Sequence, residues 1–443
     1  MSWTPLAEHL AALPLILAGP MLRRTEPGSV TVWLALKEPR KVALRIYARN
    51  SQGNLLQMLE GTRGTVRVGN NLHIVAVTAR ATRNDERLAW GEHYYYDLFF
   101  QPDAPGEQID TSVPETAAHL DTPGVLVGNP ARVDPLHRLV YPGHPLPSFV
   151  LPPEDVNQLR IVHGSCRKPH GVGREMLSAL DTMLETSLQQ GTQRPQQLFL
   201  TGDQIYADDV AAPLLFALMD AGQGLLEGNR QEILPLVGLP AHKLAPGTRG
   251  DIVRNRAMFT TTTPHNHLLS LSEYTAMYLF AWSNVLWPDE LPGAEEMWMV
   301  YPETRPASDN QENERTRYAA DLRRLEEFRS ALPRVRRALA NIATYTICDD
   351  HEITDDWYLD GAWCQQVLAS ALGQRIIHNG LLAYALFQAW GNTPDQFAGE
   401  RGTDFLNAVD TWRGEETGAP AEAIQLMLGI PASFSGSGEL QPS

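Results

Sequence analysis

The chain has 443 residues, too many for one ordinary core, so two or three domains are expected. Apolar residues make up 43% and charged residues 20%, the composition of a soluble globular protein and not of a coiled coil or a disordered chain. The formal charge of −16, from 36 Lys and Arg against 52 Asp and Glu, disfavours a stable grip on nucleic-acid backbone. The same field repels phosphate, so any phosphate site here needs cations to reverse the local sign.

The first apolar run, Leu10 to Leu22, is broken by Pro14, Gly19 and Pro20 and carries its positive charge, Arg23 and Arg24, behind it. A secretory signal has the opposite charge order, and the run is too short and too broken to span a bilayer. It reads as the lead-in and first strand of a domain. Three cysteines, Cys166, Cys348 and Cys364, form no CxxC pair. A sparse, odd count argues against a disulfide framework, so a reducing cytoplasmic setting with no membrane association is expected.

From about residue 28 to 128 the pattern has period two. Val30 to Leu36, Val42 to Tyr47, Leu72 to Val77 and His93 to Phe100 are separated by turn signals such as Glu26-Pro27-Gly28 and Gly69-Asn70-Asn71. Short strands at this spacing predict an immunoglobulin-like β-sandwich over residues 1–128, serving as a scaffold. Residues 129–158 are proline-rich and read as a stiff connector.

A second domain, 159–443, opens on the strand Leu159 to His163. Gln197 to Leu200 and Ala343 to Cys348 are two more short apolar strands, with helical patterns such as Glu175 to Gln189 between them. Strands alternating with helices predict an α/β sheet. Residues 211–340 read as a helical insertion, with Ser272 to Trp287 aromatic and Asn310 to Ala340 charged. A further helix follows Ala369, and Ser433 to Ser443 reads as a disordered tail.

Each predicted strand of the second domain ends in polar chemistry, the edge at which open α/β sheets bind ligands. Gly202-Asp203-Gln204-Ile205-Tyr206 offers a carboxylate able to bridge two cations, followed by a phenol that as phenolate suits a trivalent ion. Two metals about 3.5–4 Å apart can clamp a phosphoryl group and activate water. The plainer reading is a turn whose Asp caps the next helix. Asp349-Asp350-His351-Glu352 packs three carboxylates and an imidazole into four residues. That density is costly to fold without cations or solvent, the alternative being a surface helix start. His163-Gly164-Ser165-Cys166-Arg167 offers a thiolate ligand or, on the plainer reading, a small core cysteine. Taken together, the three segments predict a two-metal phosphoesterase site.

In their order along the chain, behind an immunoglobulin-like N-terminal domain, Ser165-Cys166, Gly202-Asp203-x-x-Tyr206 and Asp349-Asp350-His351-Glu352 resemble the PhoD-type alkaline phosphatases and phosphodiesterases. That family lies within the calcineurin-like metallophosphoesterases, which carry an α/β/β/α sandwich. The resemblance implies a hydrolase of phosphate mono- or diesters with Fe3+ and Ca2+ as cofactors, Zn2+ or Mn2+ being alternatives. Asp203 would bridge the metals, Cys166 and Tyr206 would hold the first and Asp350 the second, with Asp349 a further candidate ligand. His351 would stand beside the phosphate and Glu352 would orient it; a phosphate contact from Arg167 is a separate expectation that the resemblance does not carry. The family's late Gly-Asp-x-His segment has no counterpart after Glu352, where the last histidine is His378 inside an apolar helical pattern. About two C-terminal strands of the family sheet are therefore expected to be missing. A non-catalytic scaffold or binding protein on the same fold is the competing reading.

Overall fold

Alternating strand sequences build the first third of the chain into one curled antiparallel sheet in this computed structural model, which describes residues 3–81, 83, 86–103, 113–126, 139–191, 193–226, 232–415 and 417–430. After a short helix α1 (Leu6–His9) come β1 (Ile16–Glu26), β2 (Ser29–Leu36), β3 (Arg40–Arg49), β4 (Leu55–Gly64), β5 (Val66–Gly69), β6 (Leu72–Arg80) and β7 (His93–Pro102). β8 (Ala118–His119) and β9 (Ser148–Val150) complete it. The order is β1-β2-β6-β4-β3-β7-β8, with β5 on β6 and β9 on β7. β4 pairs with β6 in register at Glu60 opposite Arg80.

The inner face of the curl is packed by Val30, Val32, Leu34, Val42, Leu44, Val75, Val77 and Tyr96. The outer face differs from that of a free-standing sandwich. Trp33, Ala35, Ile74 and Ala76 point outward but are buried in a second core shared with the helices. β2 is accordingly buried on both faces, which is why its sequence is apolar at nearly every position. β9 falls within the segment read as a connector, of which residues 129–138 lie outside the described residues, as does the predicted tail at 433–443.

The second sheet holds β10 (Ile161–Gly164), β11 (Gln197–Leu200) and β12 (Ala343–Thr346), parallel and in the order β10-β11-β12. Among the described residues the strands form these two sheets and no third, so the paired sheets of an α/β/β/α sandwich are not seen. The buried Arg23 side chain of β1 reaches across to Thr346 Oγ1 (3.0 Å), the Gln388 carbonyl (2.9 Å) and Asn392 Oδ1 (2.6 Å), fastening the antiparallel sheet against β12.

The helices are α2 (Leu177–Gln190), α3 (Ala212–Leu226), α4 (Leu271–Trp282), α5 (Ala294–Val300) and α6 (Gln311–Ala340), then α7 (Gly361–Leu368) and α8 (Ala371–Tyr384). α8 runs on through a π-helical turn, Ala385–Ala389, into α9 (Trp390–Asn392), followed among the described residues by α10 (Glu400–Thr411) and α11 (Ala419–Met427). α4 starts at a capping box in which Ser270 and Glu273 satisfy each other's backbone N–H groups, and all but one of its residues are buried. Trp33 of β2 packs edge-on to Trp282 of α4 and donates to the Leu386 carbonyl at 2.8 Å. No helix among the described residues is long and apolar enough to cross a membrane.

Candidate metal centre

Register decides where the site forms. Gly164, Leu200 and Thr346 are aligned across the three parallel strands, so the loops after β10, β11 and β12 leave from one edge. The ladder continues one step further through Thr201 N to the Gly164 carbonyl and Ile347 N to the Leu200 carbonyl, both 3.0 Å. The three polar segments of the sequence therefore meet.

The β11 loop turns abruptly, with Gly202 at φ +111° and Asp203 at φ +54°. Gly202 has to be glycine, because a methyl there would collide with the Asp349 side chain. Asp203 takes a left-handed conformation that costs a non-glycine residue about 1–3 kcal/mol and is held by its surroundings. Its N–H donates to Glu352 at 3.0 Å, and its carbonyl accepts from Arg167 N at 2.8 Å. Cys166, also left-handed at φ +58°, donates its N–H to the Gly202 carbonyl.

Two acidic side chains converge on one oxygen. Cys166 Sγ and Tyr206 Oη each lie 3.2 Å from Asp203 Oδ2. Asp203 Oδ1 is buried without a hydrogen-bond partner. Burial raises the Asp203 pKa, and it raises that of Tyr206 further, helped by the neighbouring Asp203 and Cys166. Asp203, Asp350 and His351 each bring a donor atom to within 4.8 Å of the others. An orphaned carboxylate oxygen beside a thiol, a phenol, a second carboxylate and an imidazole is a donor set that fits a cation.

His351 stacks on the Tyr206 ring with centroids 4.4 Å apart. Its Nδ1 lies 2.8 Å from Asp208 Oδ1. Burial alone would lower the His351 pKa, but the Asp208 hydrogen bond and the charges of Asp208, Asp203 and Asp350 outweigh it and raise it to about 9. Asp208 is fully buried and also accepts from Thr261 Oγ1 at 3.0 Å and Asp355 N at 2.9 Å. Burial works against its ionisation, yet the His351 contact and the other donors leave its pKa below the usual range.

Glu352 does something other than orient His351. It is fully buried and accepts from the N–H groups of Asp203 (3.0 Å), Gln204 (2.6 Å) and Asp349 (2.8 Å), with Gln388 Nε2 at 3.2 Å. It ties the β11 loop to the β12 loop. Burial pushes its pKa up to about 7 against the pull of those N–H groups.

The predicted residues thus divide. Cys166, Asp203, Tyr206, Asp350 and His351 come together; Glu352 supports them from beneath, and Asp349 abuts Gly202 and caps the Asp350–Glu352 turn. Arg167 turns inward instead, where Glu175 takes it at 2.9–3.0 Å, the Ala281 carbonyl at 2.9 Å, and the Phe328 ring lies beneath it. His378 packs edge-on to Trp412 inside the helical core, and burial lowers its pKa to about 4. Asp208 is the residue that sequence reasoning passed over. Its signal is its place two residues after Tyr206, in the loop that must fold back under His351.

No protein family's sequence profile matches the chain, and no curated protein matches it. Among solved structures the chain is similar to one titled "Structure of PhoD", at 12% identity and a TM-score of 0.34, covering 83% of this chain and 46% of that one. The chain spans less than half the length of that protein.

Proposed function

We propose that the loops after β10, β11 and β12 bind two metal cations and that the protein hydrolyses phosphate esters there. The observation that carries this reading is the convergence on Asp203. Its Oδ2 gathers the Cys166 thiol and the Tyr206 phenol, and its Oδ1 is buried with no partner. A cation in place of the two protons would satisfy all three groups and relieve the cost of burying an incompletely paired carboxylate. Thiolate and phenolate beside a shared carboxylate suit Fe3+, and the all-oxygen side at Asp350 and Asp349 suits Ca2+.

Bound cations would supply charge neutralisation for an anionic ester and acidify a water molecule. The remaining work falls to the chain's own groups. With its Nδ1 held by Asp208, His351 has Nε2 left to donate toward a substrate oxygen. Glu352 fixes the backbone on which Asp203 and Asp350 stand, so the donor set is arranged before substrate arrives.

The test combines elemental analysis with turnover. Freshly purified protein is expected to hold iron, zinc, manganese or calcium and to hydrolyse p-nitrophenyl phosphate or its bis ester, with both properties lost in Asp203→Ala. Protein free of all four metals would refute the reading. Metal retained without turnover of either ester would leave a binding protein on this fold.

A further inference from the structure

Far from the strand-end loops, the seam between the two sheets holds two arginines and two histidines with no acid among them. Arg194 precedes β11 and is buried. It donates to Ser148 Oγ (3.0 Å), to the carbonyls of Ser148 and Asn341, and approaches His93 Nε2 at 3.4 Å. His93 lies 5.2 Å from the His144 ring and 4.8 Å from the Tyr95 ring, centroid to centroid. Arg49, exposed at the end of β3, lies over the same Tyr95 ring at 5.2 Å.

The Arg49 guanidinium and the two imidazoles thus meet at the Tyr95 ring, and Arg194 adjoins them through His93. Among the described residues no carboxylate forms an ion pair with any of the four. In a chain of charge −16 such a patch is not the statistical surface. Two of its polar atoms are buried without partners, Arg194 Nε and His144 Nδ1. A buried guanidinium is ordinarily paired, because desolvating a charge without a counter-charge is costly. The histidines register the imbalance. Burial, then Arg194 and the neighbouring cations, lowers His93 to about 3, and burial with Arg194 and Arg49 also lowers His144.

We propose that Arg49, His93, His144 and Arg194 form a binding site for a small oxyanion, a phosphate or carboxylate group, seated on the seam between the sheets. The anion would supply the missing counter-charge, and the Arg49 guanidinium, free of any carboxylate, would close over it from the solvent side. Because Arg194 already fastens Ser148 of β9 to Asn341 beside β12, an occupied site would brace the two sheets against each other. The site is independent of whether the strand-end loops are catalytic.

The test is calorimetric titration of the full chain, stripped of metal, with inorganic phosphate. Sulfate and acetate serve as further oxyanions and chloride as control, at fixed ionic strength. One saturable phosphate site is expected, weakened by about tenfold or more in Arg49→Ala and in His144→Ala and retained in Asp203→Ala. Both substituted seam residues are at least partly exposed, so the fold should survive, and circular dichroism checks it. Phosphate heats equal to those of chloride, affinity unchanged in both seam variants, or binding lost in Asp203→Ala would each overturn the proposal. The ratio of phosphate to acetate affinity identifies which oxyanion the site prefers.

Discussion

Asp208 Oδ1 sits 2.8 Å from Nδ1 of His351, and this buried carboxylate governs the charge on the imidazole facing the candidate metal centre. The His351 pKa of about 9 stands above the ordinary 6.5 even though burial works to lower it. Asp208→Asn removes the main opposing contribution, so the pKa is expected to fall markedly, toward the ordinary value. Proton NMR of the imidazole Cε1–H in metal-free protein measures it, and a pKa that stays near 9 would remove Asp208 from this role.

The same shift predicts a pH dependence of stability for the metal-free protein. A folded-state pKa above 6.5 means that the His351 imidazolium stabilises the fold fully below about pH 6.5, and the contribution fades as pH rises through about 9. Thermal unfolding of the metal-free chain should therefore give a Tm that declines over that window. His351→Gln should flatten the decline, because a neutral amide does not titrate.

For turnover, His351→Gln is expected to lower kcat by about 10²–10⁴ while leaving metal content unchanged, the size of a lost proton donor. Asp203→Asn should instead lose the metals, since it removes the charge that Cys166 and Tyr206 converge on. Elemental analysis beside steady-state kinetics separates the two outcomes. A His351→Gln variant that lost its metals would make His351 a ligand and not a donor.

Gly202→Ala tests the geometry of the β11 turn. A side chain there meets Asp349 and must also adopt φ +111°. The expected cost is about 1–3 kcal/mol of stability, together with weaker metal binding because Asp203 and Asp349 shift. Denaturant unfolding and a metal titration read the two effects. A variant as stable as the parent would show that the loop tolerates rearrangement.

The convergence of the site was legible because each polar segment directly follows a short apolar strand, and parallel strands in an α/β sheet expose their C-terminal ends together. Motif spacing alone therefore places Asp203, Tyr206 and Asp350 just past neighbouring strand ends. Arg167 illustrates what spacing does not carry. Its direction is set by Glu175, eight residues on, and by the Ala281 carbonyl on a helix more than a hundred residues away. The curled sheet was legible as strands, but its burial on both faces was not, since Trp33 reads equally as an inward or an outward position until α4 is in place. The left-handed backbones at Cys166 and Asp203 leave no trace in residue type, because neither is glycine.

Glu352 supplies the last prediction, because it joins the parts that the sequence shows only separately. Its two oxygens take three backbone N–H groups from two loops, and Gln388, whose carbonyl is held by Arg23 of β1, donates to the same carboxylate. Glu352→Gln keeps the volume but replaces one accepting oxygen with a donor, which would face N–H groups in a site that excludes water. Unmade hydrogen bonds to a buried charged group cost about 1.5–3 kcal/mol each, so the variant should lose at least about 2 kcal/mol of stability. With the amide nitrogen in the Oε2 position Asp203 N and Asp349 N are both released, and metal affinity should fall along with stability while the Cys166 and Tyr206 side chains remain. If denaturant midpoints drop but metal titrations match the parent, Glu352 serves the fold and not the centre. If both change together, the carboxylate that never reaches His351 sets the frame on which the other ligands stand.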